Sequence, residues 1–181
     1  MQVSVDEIGA TGLDLDFTYS PEDLPVLAQL QEDATIVETT PVVCHVHLHK
    51  IAQIVEVDGD AKVTVQMQCS RCLEEQHIEL KVSFHQSYVE ELPQVKDEDG
   101  GELELSAEQM GLELFDGKQI DLRDEIQQQI VLALPIRPLC SEKCKGLCSE
   151  CGVNLNVDRC SCRNGNISMH FATLRDFKVE K

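Results

Sequence analysis

Tryptophan is missing from the 181 residues, and the other aromatics are scarce, with two Tyr and five Phe. The core must therefore be built mainly from Val, Ile and Leu. Long apolar runs are missing as well: the longest, Ile130 to Leu134, falls far short of the roughly 20 residues that a spanning helix needs. No basic stretch followed by an apolar one opens the sequence, so no secretory signal is read and an intracellular, cytoplasmic protein is expected. There is no phosphate-cradling glycine loop, no nucleophile elbow and no His-Glu-x-x-His helix. Carboxylates are plentiful but lie in acidic runs of the kind that form solvated faces. Nothing in the chain proposes an active site, and a non-enzymatic role is expected.

Positive charge is also in short supply: 15 Lys and Arg stand against 33 Asp and Glu, a formal net charge of −18. The imbalance is uneven. Residues 1–135 hold 28 acidic and 7 basic side chains, net −21, whereas residues 136–181 hold 5 and 8, net +3. The first segment repels phosphate backbones and attracts a basic partner. Only the tail has the sign for RNA.

What is abundant is cysteine: nine, an odd number. A reducing compartment keeps unliganded thiols reduced, so metal binding explains them better than a disulfide framework. Six of the nine, Cys140, Cys144, Cys148, Cys151, Cys160 and Cys162, fall within 23 residues. Cys148-x2-Cys151 followed by Gly152 has the form of a zinc knuckle: two intervening residues let both sulfurs face one ion, and glycine accepts the positive φ of the turn. Four of the six are expected at one structural zinc site, completed either by Cys140 and Cys144 or by Cys160 and Cys162; spacing does not choose between them. Cys69-x2-Cys72 is a further pair, able to form a second site with tail cysteines left over. A redox pair should instead open a helix in a βαβ unit.

Alternating apolar residues predict strands over Gln2–Ile8 and Leu13–Tyr19, able to pair across Gly9–Gly12; Pro25 followed by Val26–Gln31 reads as a short helix or turn, and Ala34–Thr39 as a strand. The clearest element is a three-stranded meander: Val42–Val57, a turn at Asp58-Gly59-Asp60, Ala61–Cys69, the Cys69–Cys72 connection, and His77–Tyr88. Val63, Val65, Met67 and Cys69 share one face, as do Ile78, Leu80, Val82 and Phe84. Residues 90–104 are acidic with a central Gly-Gly and read as a linker or loop. Leu112–Phe115 reads as a short strand returning to the sheet. Asp121 is the expected N-cap of a helix carrying Leu122, Ile126 and Ile130 and ending before Pro135. A last amphipathic helix is expected over Ser168–Lys178. His45, His47 and His49 alternate on one face of their strand and read as the face of a polar solvent-facing strand rather than as ligands.

The phrases Asp58-Gly-Asp-Ala-Lys-Val-Thr-Val, Cys69-Ser-Arg-Cys72, Leu132-Ala-Leu-Pro-Ile-Arg-Pro-Leu-Cys140 and Cys144-Lys-Gly-Leu-Cys148-Ser-Glu-Cys151-Gly-Val-Asn-Leu-Asn156 with Cys160-Ser-Cys162 resemble the YceD family, the large ribosomal RNA subunit accumulation proteins of bacteria and chloroplasts. The likeness covers about residues 40–180. It implies a part in accumulation or processing of 23S ribosomal RNA, in a family often encoded beside a small basic large-subunit ribosomal protein, with no enzymatic activity. Some members lack the tail cysteines yet keep the earlier Cys-x-Arg-Cys pair. That implies a structural tail metal and makes Cys69, Arg71 and Cys72 candidates for the functional surface.

The expectation is thus an α+β protein with a mainly antiparallel sheet able to curl toward a barrel, an acidic body over 1–135 and a zinc-binding tail over 136–181. The expected function is non-enzymatic support of large-subunit assembly through a basic ribosomal protein or pre-ribosomal particle. The competing readings are a direct RNA-binding zinc module and a thiol-disulfide protein using Cys69 and Cys72.

Overall fold

The computed structural model describes residues 1–93, 95–96, 102–103, 106–116 and 119–162. In chain order these form β1 (Gln2–Ser4), β2 (Leu13–Tyr19), α1 (Pro25–Glu32), β3 (Glu38–Thr39), β4 (Val42–Ile51), β5 (Ile54–Gln68), β6 (Glu75–Val89), β7 (Val95–Lys96), β8 (Glu102–Leu103), α2 (Ala107–Met110), β9 (Leu112–Leu114), β10 (Gln119–Asp121) and α3 (Arg123–Ala133). The main sheet runs β2-β4-β5-β6-β9, with β3 also on β5. All pairings in it are antiparallel except β6 with β9. The sheet curls as half a barrel.

Period-two alternation sends Val42, Cys44, Val46 and Leu48 of β4 inward with Val55, Val57, Ala61, Val63, Val65 and Met67 of β5. Leu80 and Phe84 of β6 join them, with Ile78 and Val82 partly buried alongside. Leu27 of α1 and Leu122, Ile126 and Ile130 at and within α3 close the same core. Each of these four is fully buried, at about 1.5–3 kcal/mol of transfer free energy per side chain. α1 and α3 pack on this core, and the strand residues that alternate with it, such as Asp14, His45, Asp58 and Lys62, are exposed. No helix among the described residues is long and apolar enough to cross a membrane.

The hairpin expected at Asp58-Gly59-Asp60 is not formed. Ile51 pairs with Ile54, so the chain turns at Ala52 and Gln53, and β5 continues through Gly59 to Gln68. Ala52 takes the positive φ of the turn, 55°, so no glycine marks it. Gly59 serves another purpose: it faces Phe84 in register, and a Cβ there would lie 2.2 Å from the Phe84 ring. The ring rests on bare backbone.

The expected pairing of the first two strands is also replaced. A 3-10 turn over Val5–Glu7 ends β1 early, and β1 pairs with β10 while β2 lies along β4. Only a Gly9–Gly12 bridge remains between the two segments. The strand expected over Ala34–Thr39 shrinks to β3, because Ala34 at φ 56° reverses the chain after α1 and Thr35 and Ile36 both donate to the Leu30 carbonyl. Asp121 lies in β10, one residue before the Leu122 N-cap; its carboxylate accepts the Arg123 backbone N–H at 3.0 Å. Within the expected linker, β7 and β8 form a short antiparallel ladder. The helix expected over Ser168–Lys178 lies outside the described residues.

Candidate metal centres

The eight cysteines singled out in the sequence converge into two groups of four: Cys69, Cys72, Cys140 and Cys144 in one, Cys148, Cys151, Cys160 and Cys162 in the other. Within each group all sulfurs lie within 4.8 Å of one another. Cys69 and Cys72 flank the turn from β5 into β6, and the tail segment 138–147 comes back over that turn: Ser70 N–H donates to the Pro138 carbonyl and Leu147 N–H to the Arg71 carbonyl. The first group therefore joins sheet to tail, while the second lies wholly within the tail. Cys69, Cys72 and Cys144 form a small apolar cluster with Leu139 and Leu147, separate from the main core.

Spacing had left two ways to complete the Cys148–Cys151 knuckle; the fold places Cys160 and Cys162 there and gives Cys140 and Cys144 to the hairpin turn. The two knuckles share one backbone device. Leu73 N–H donates to the Cys69 carbonyl and Gly152 N–H to the Cys148 carbonyl, both at 2.9 Å, and both acceptor turns close with positive φ, 60° at Leu73 and 72° at Gly152. Because Leu occupies that place in the first knuckle, its likeness to the second is hidden in the sequence. Gly146, φ 74°, sits so close to the first knuckle that a Cβ would stand 2.9 Å from the Arg71 carbonyl oxygen.

The donor chemistry fits a metal. A tetrahedral four-thiolate site with metal–sulfur bonds near 2.3 Å has sulfur–sulfur edges of about 3.8 Å. Cys69–Cys144 is 3.8 Å, Cys72–Cys140 3.6 Å and Cys148–Cys160 3.3 Å. Each separation is far beyond the ~2.05 Å of a disulfide, and all nine cysteines are free. The ninth, Cys44, is a core thiol on the inner face of β4, pushed up to about 12 by burial.

Protonation follows the local donors. Burial raises the Cys69 thiol, but backbone hydrogen bonds from Cys140, Arg71 and Cys72 outweigh it and bring it down to about 6. Backbone hydrogen bonds from Cys151 and Glu150 likewise bring Cys148 to about 6. Neighbouring thiols push two others the opposite way: Cys144 and Cys72 drive Cys140 to about 12, and Cys151 and Cys160 drive Cys162 to about 12. Each group thus offers at least one thiolate at neutral pH, Cys144 of the first being held down as well, against burial, by its hydrogen bonds from Asn156 and Gly146, and gives up further protons as a metal enters. Cys69 and Cys148 are depressed from the ordinary 9.0 to about 6, so their favourable contribution is fully present above the ordinary value and is lost as pH falls through about 6. Bound metal is expected to be held at neutral pH and released on acidification below that range, with proton release on loading; a chromophoric chelator titration against pH checks it.

Arg71, expected on a partner surface, is exposed, yet its guanidinium donates to the carbonyls of Cys144 at 2.8 Å and Glu142 at 3.4 Å, fastening the tail over the hairpin turn. His45, His47 and His49 project from the outer sheet face and bond to Asp16, Asp14 and Glu56 at 2.8, 2.7 and 2.8 Å. They join none of the clusters of potential ligands found among the described residues. Asp16 raises the His45 pKa through its hydrogen bond and its charge. These carboxylate partners lie on other strands, beyond the reach of sequence spacing.

Residues 57–178 match the family model described as large ribosomal RNA subunit accumulation protein YceD. The chain is 28% identical over 148 residues to a maize chloroplastic large ribosomal RNA subunit accumulation protein YCED homolog 1, covering 71% of this chain and 50% of the relative. It is 26% identical over 136 residues to an uncharacterized protein of Mycobacterium leprae, covering 75% and 59%. An Arabidopsis thaliana homolog of the maize protein is 40% identical over 45 residues, 25% of this chain and 14% of that one. The chain spans about half the length of the first two of these relatives. No solved structure matches it.

Proposed function

The chain belongs to the YceD family of large ribosomal RNA subunit accumulation proteins, a membership that implies a role in accumulation of large-subunit ribosomal RNA; from that premise we propose that it acts as a non-enzymatic cytoplasmic assembly factor for the 23S-containing subunit. In this reading residues 1–135 are an acidic body and residues 136–181 a tail held by two structural zinc ions, one in each four-cysteine group. Bound zinc would supply the tail with the cross-links that its small apolar cluster cannot. The partner is a basic large-subunit ribosomal protein or a pre-ribosomal particle, and rRNA is reached through it.

The observation that carries the partner assignment is charge and its placement. The body has four acidic side chains for each basic one, and the outer sheet face presents Asp14 and Asp16 on β2 and Glu56, Asp58 and Asp60 on β5, the two strands that flank β4. Such a surface favours basic segments and repels phosphates. The exposed Ser70-Arg71 turn is the proposed edge where tail and partner meet. The +3 of residues 136–181 is the one feature favouring direct RNA contact, and two four-thiolate zinc sites would reverse it.

Affinity capture with the full chain at low salt is expected to recover large-subunit precursor particles or a basic ribosomal protein, and to lose them as salt rises, since the Debye length shrinks from about 10 Å at 0.1 M to about 3 Å at 1 M. Recovery of no ribosomal component at low salt overturns the proposal. Retention of protein-free rRNA fragments with a steep salt slope favours the RNA-binding reading instead.

A further inference from the structure

The two cysteine groups are not independent modules. Only Lys145, Gly146 and Leu147 separate Cys144 of the first from Cys148 of the second, and the loop between Cys151 and Cys160 folds back onto the first group. Leu155 N–H donates to the Gly146 carbonyl, and Leu147 forms a bridge with Asn154. Asn154 Nδ2 donates to Glu74 Oε1 at 2.8 Å, two residues past Cys72. Asn156 reaches furthest: its Nδ2 donates to the Sγ of Cys144 at 3.2 Å and to Asn154 Oδ1 at 2.9 Å, while its Oδ1 accepts the Lys145 N–H at 2.7 Å.

We infer that Asn156 is a positioning residue that couples the two metal centres, so that filling the Cys148–Cys151–Cys160–Cys162 site strengthens metal binding at the Cys69–Cys72–Cys140–Cys144 site. This rests on the proposal that both groups bind metal. The ligands Cys151 and Cys160 bracket the loop, so a metal between them fixes both ends and orders the segment that carries Asn156. Its N–H then meets the Cys144 sulfur, where a hydrogen bond orients the ligand and stabilises its negative charge. A loop left open at Cys160 would have to be ordered at the expense of first-site affinity instead. Because coupling is reciprocal, the first site strengthens the second by the same factor.

Asn156→Asp separates this hydrogen bond from mere loop packing, since it keeps an oxygen for the Lys145 N–H but removes the donor and sets a negative charge against the sulfur. Cadmium titration of the full chain, followed by the thiolate charge-transfer band and by the cadmium resonance of each site, is the test. The wild type is expected to bind two ions cooperatively. N156D should weaken the first site about tenfold and shift its resonance, with the second site still occupied. A C160S/C162S variant, which opens the second site, should weaken the first site similarly, and adding N156D to it should cost much less than in the wild type. Two ions bound to the wild type, with first-site affinity unchanged in both variants, would overturn the coupling alone. Fewer than two ions bound to the wild type would overturn the metal assignment and the coupling with it.

Discussion

Serine at both Cys69 and Cys72 is expected to reduce bound zinc from two ions per chain to one and to release the tail from the sheet. Those two sulfurs are the only ones in the first group that come from the sheet; Cys140 and Cys144 alone leave a tetrahedral ion half coordinated. The tail would then depend on Leu139 and Leu147, both only partly buried, and on the hydrogen bonds around Ser70 and Arg71. Loss of a structural zinc site removes several kcal/mol of local stability, enough to move the segment 136–147 from protected to protease-accessible. The body has its own core, so its far-ultraviolet circular dichroism and thermal transition should change little. Elemental analysis and limited proteolysis check the two halves of the result. A C148S/C151S variant provides the contrast: it should also bind one ion but keep the tail attached. Two ions retained in C69S/C72S would dissolve the assignment of the first site.

Gly59→Ala is expected to destabilise the sheet by about 1–3 kcal/mol or more, the range for overpacking a filled interior. The added Cβ would meet three atoms of the Phe84 ring, the nearest at 2.2 Å. Relief requires that ring to leave a buried position among the core residues or the long β5–β6 ladder to bend. Chemical denaturation should show a lower midpoint with an unchanged slope. Phe84→Leu added to G59A should recover part of the loss, a non-additivity expected only if ring and glycine are in contact. If G59A alone is neutral, the packing of Phe84 on Gly59 is not what holds the two strands in register.

Much of this architecture was legible in the chain because it is local. The alternation of Val63, Val65 and Met67 and of Leu80 and Phe84 marks their inward face; it needs only the two-residue period of a strand. Leu122, Ile126 and Ile130 lie on one side of α3 by the helical period alone, and Pro135 stops them. Where the reading failed, the deciding contact was distant. Asp58-Gly59-Asp60 has the composition of a turn, but a glycine that makes room for a ring and one that makes a turn are the same letter, and Phe84 is what distinguishes them. Ala52, Ala34 and Leu73 take positive φ without the glycine that would have announced it; all three are exposed, and the Ala34 and Leu73 N–H groups donate to the Gln31 and Cys69 carbonyls.

The cysteine spacing by itself determined the half-sites. Two residues between cysteines bring their sulfurs within reach of one ion wherever the chain goes, and that much holds for Cys69–Cys72 and Cys148–Cys151 before any fold exists. Which half-sites meet was decided only by tertiary structure. Cys69 and Cys144 are 75 residues apart, and nothing in the intervening sequence measures the distance between them. The long β5–β6 hairpin carries its turn to the place where α3 ends and the tail begins, which draws Cys140 and Cys144 to Cys69 and Cys72 and leaves Cys160 and Cys162 to complete the other group. Covalent reach fixes neighbours within a few residues; the partner of a distant pair is set by how the sheet and helix bury their apolar faces.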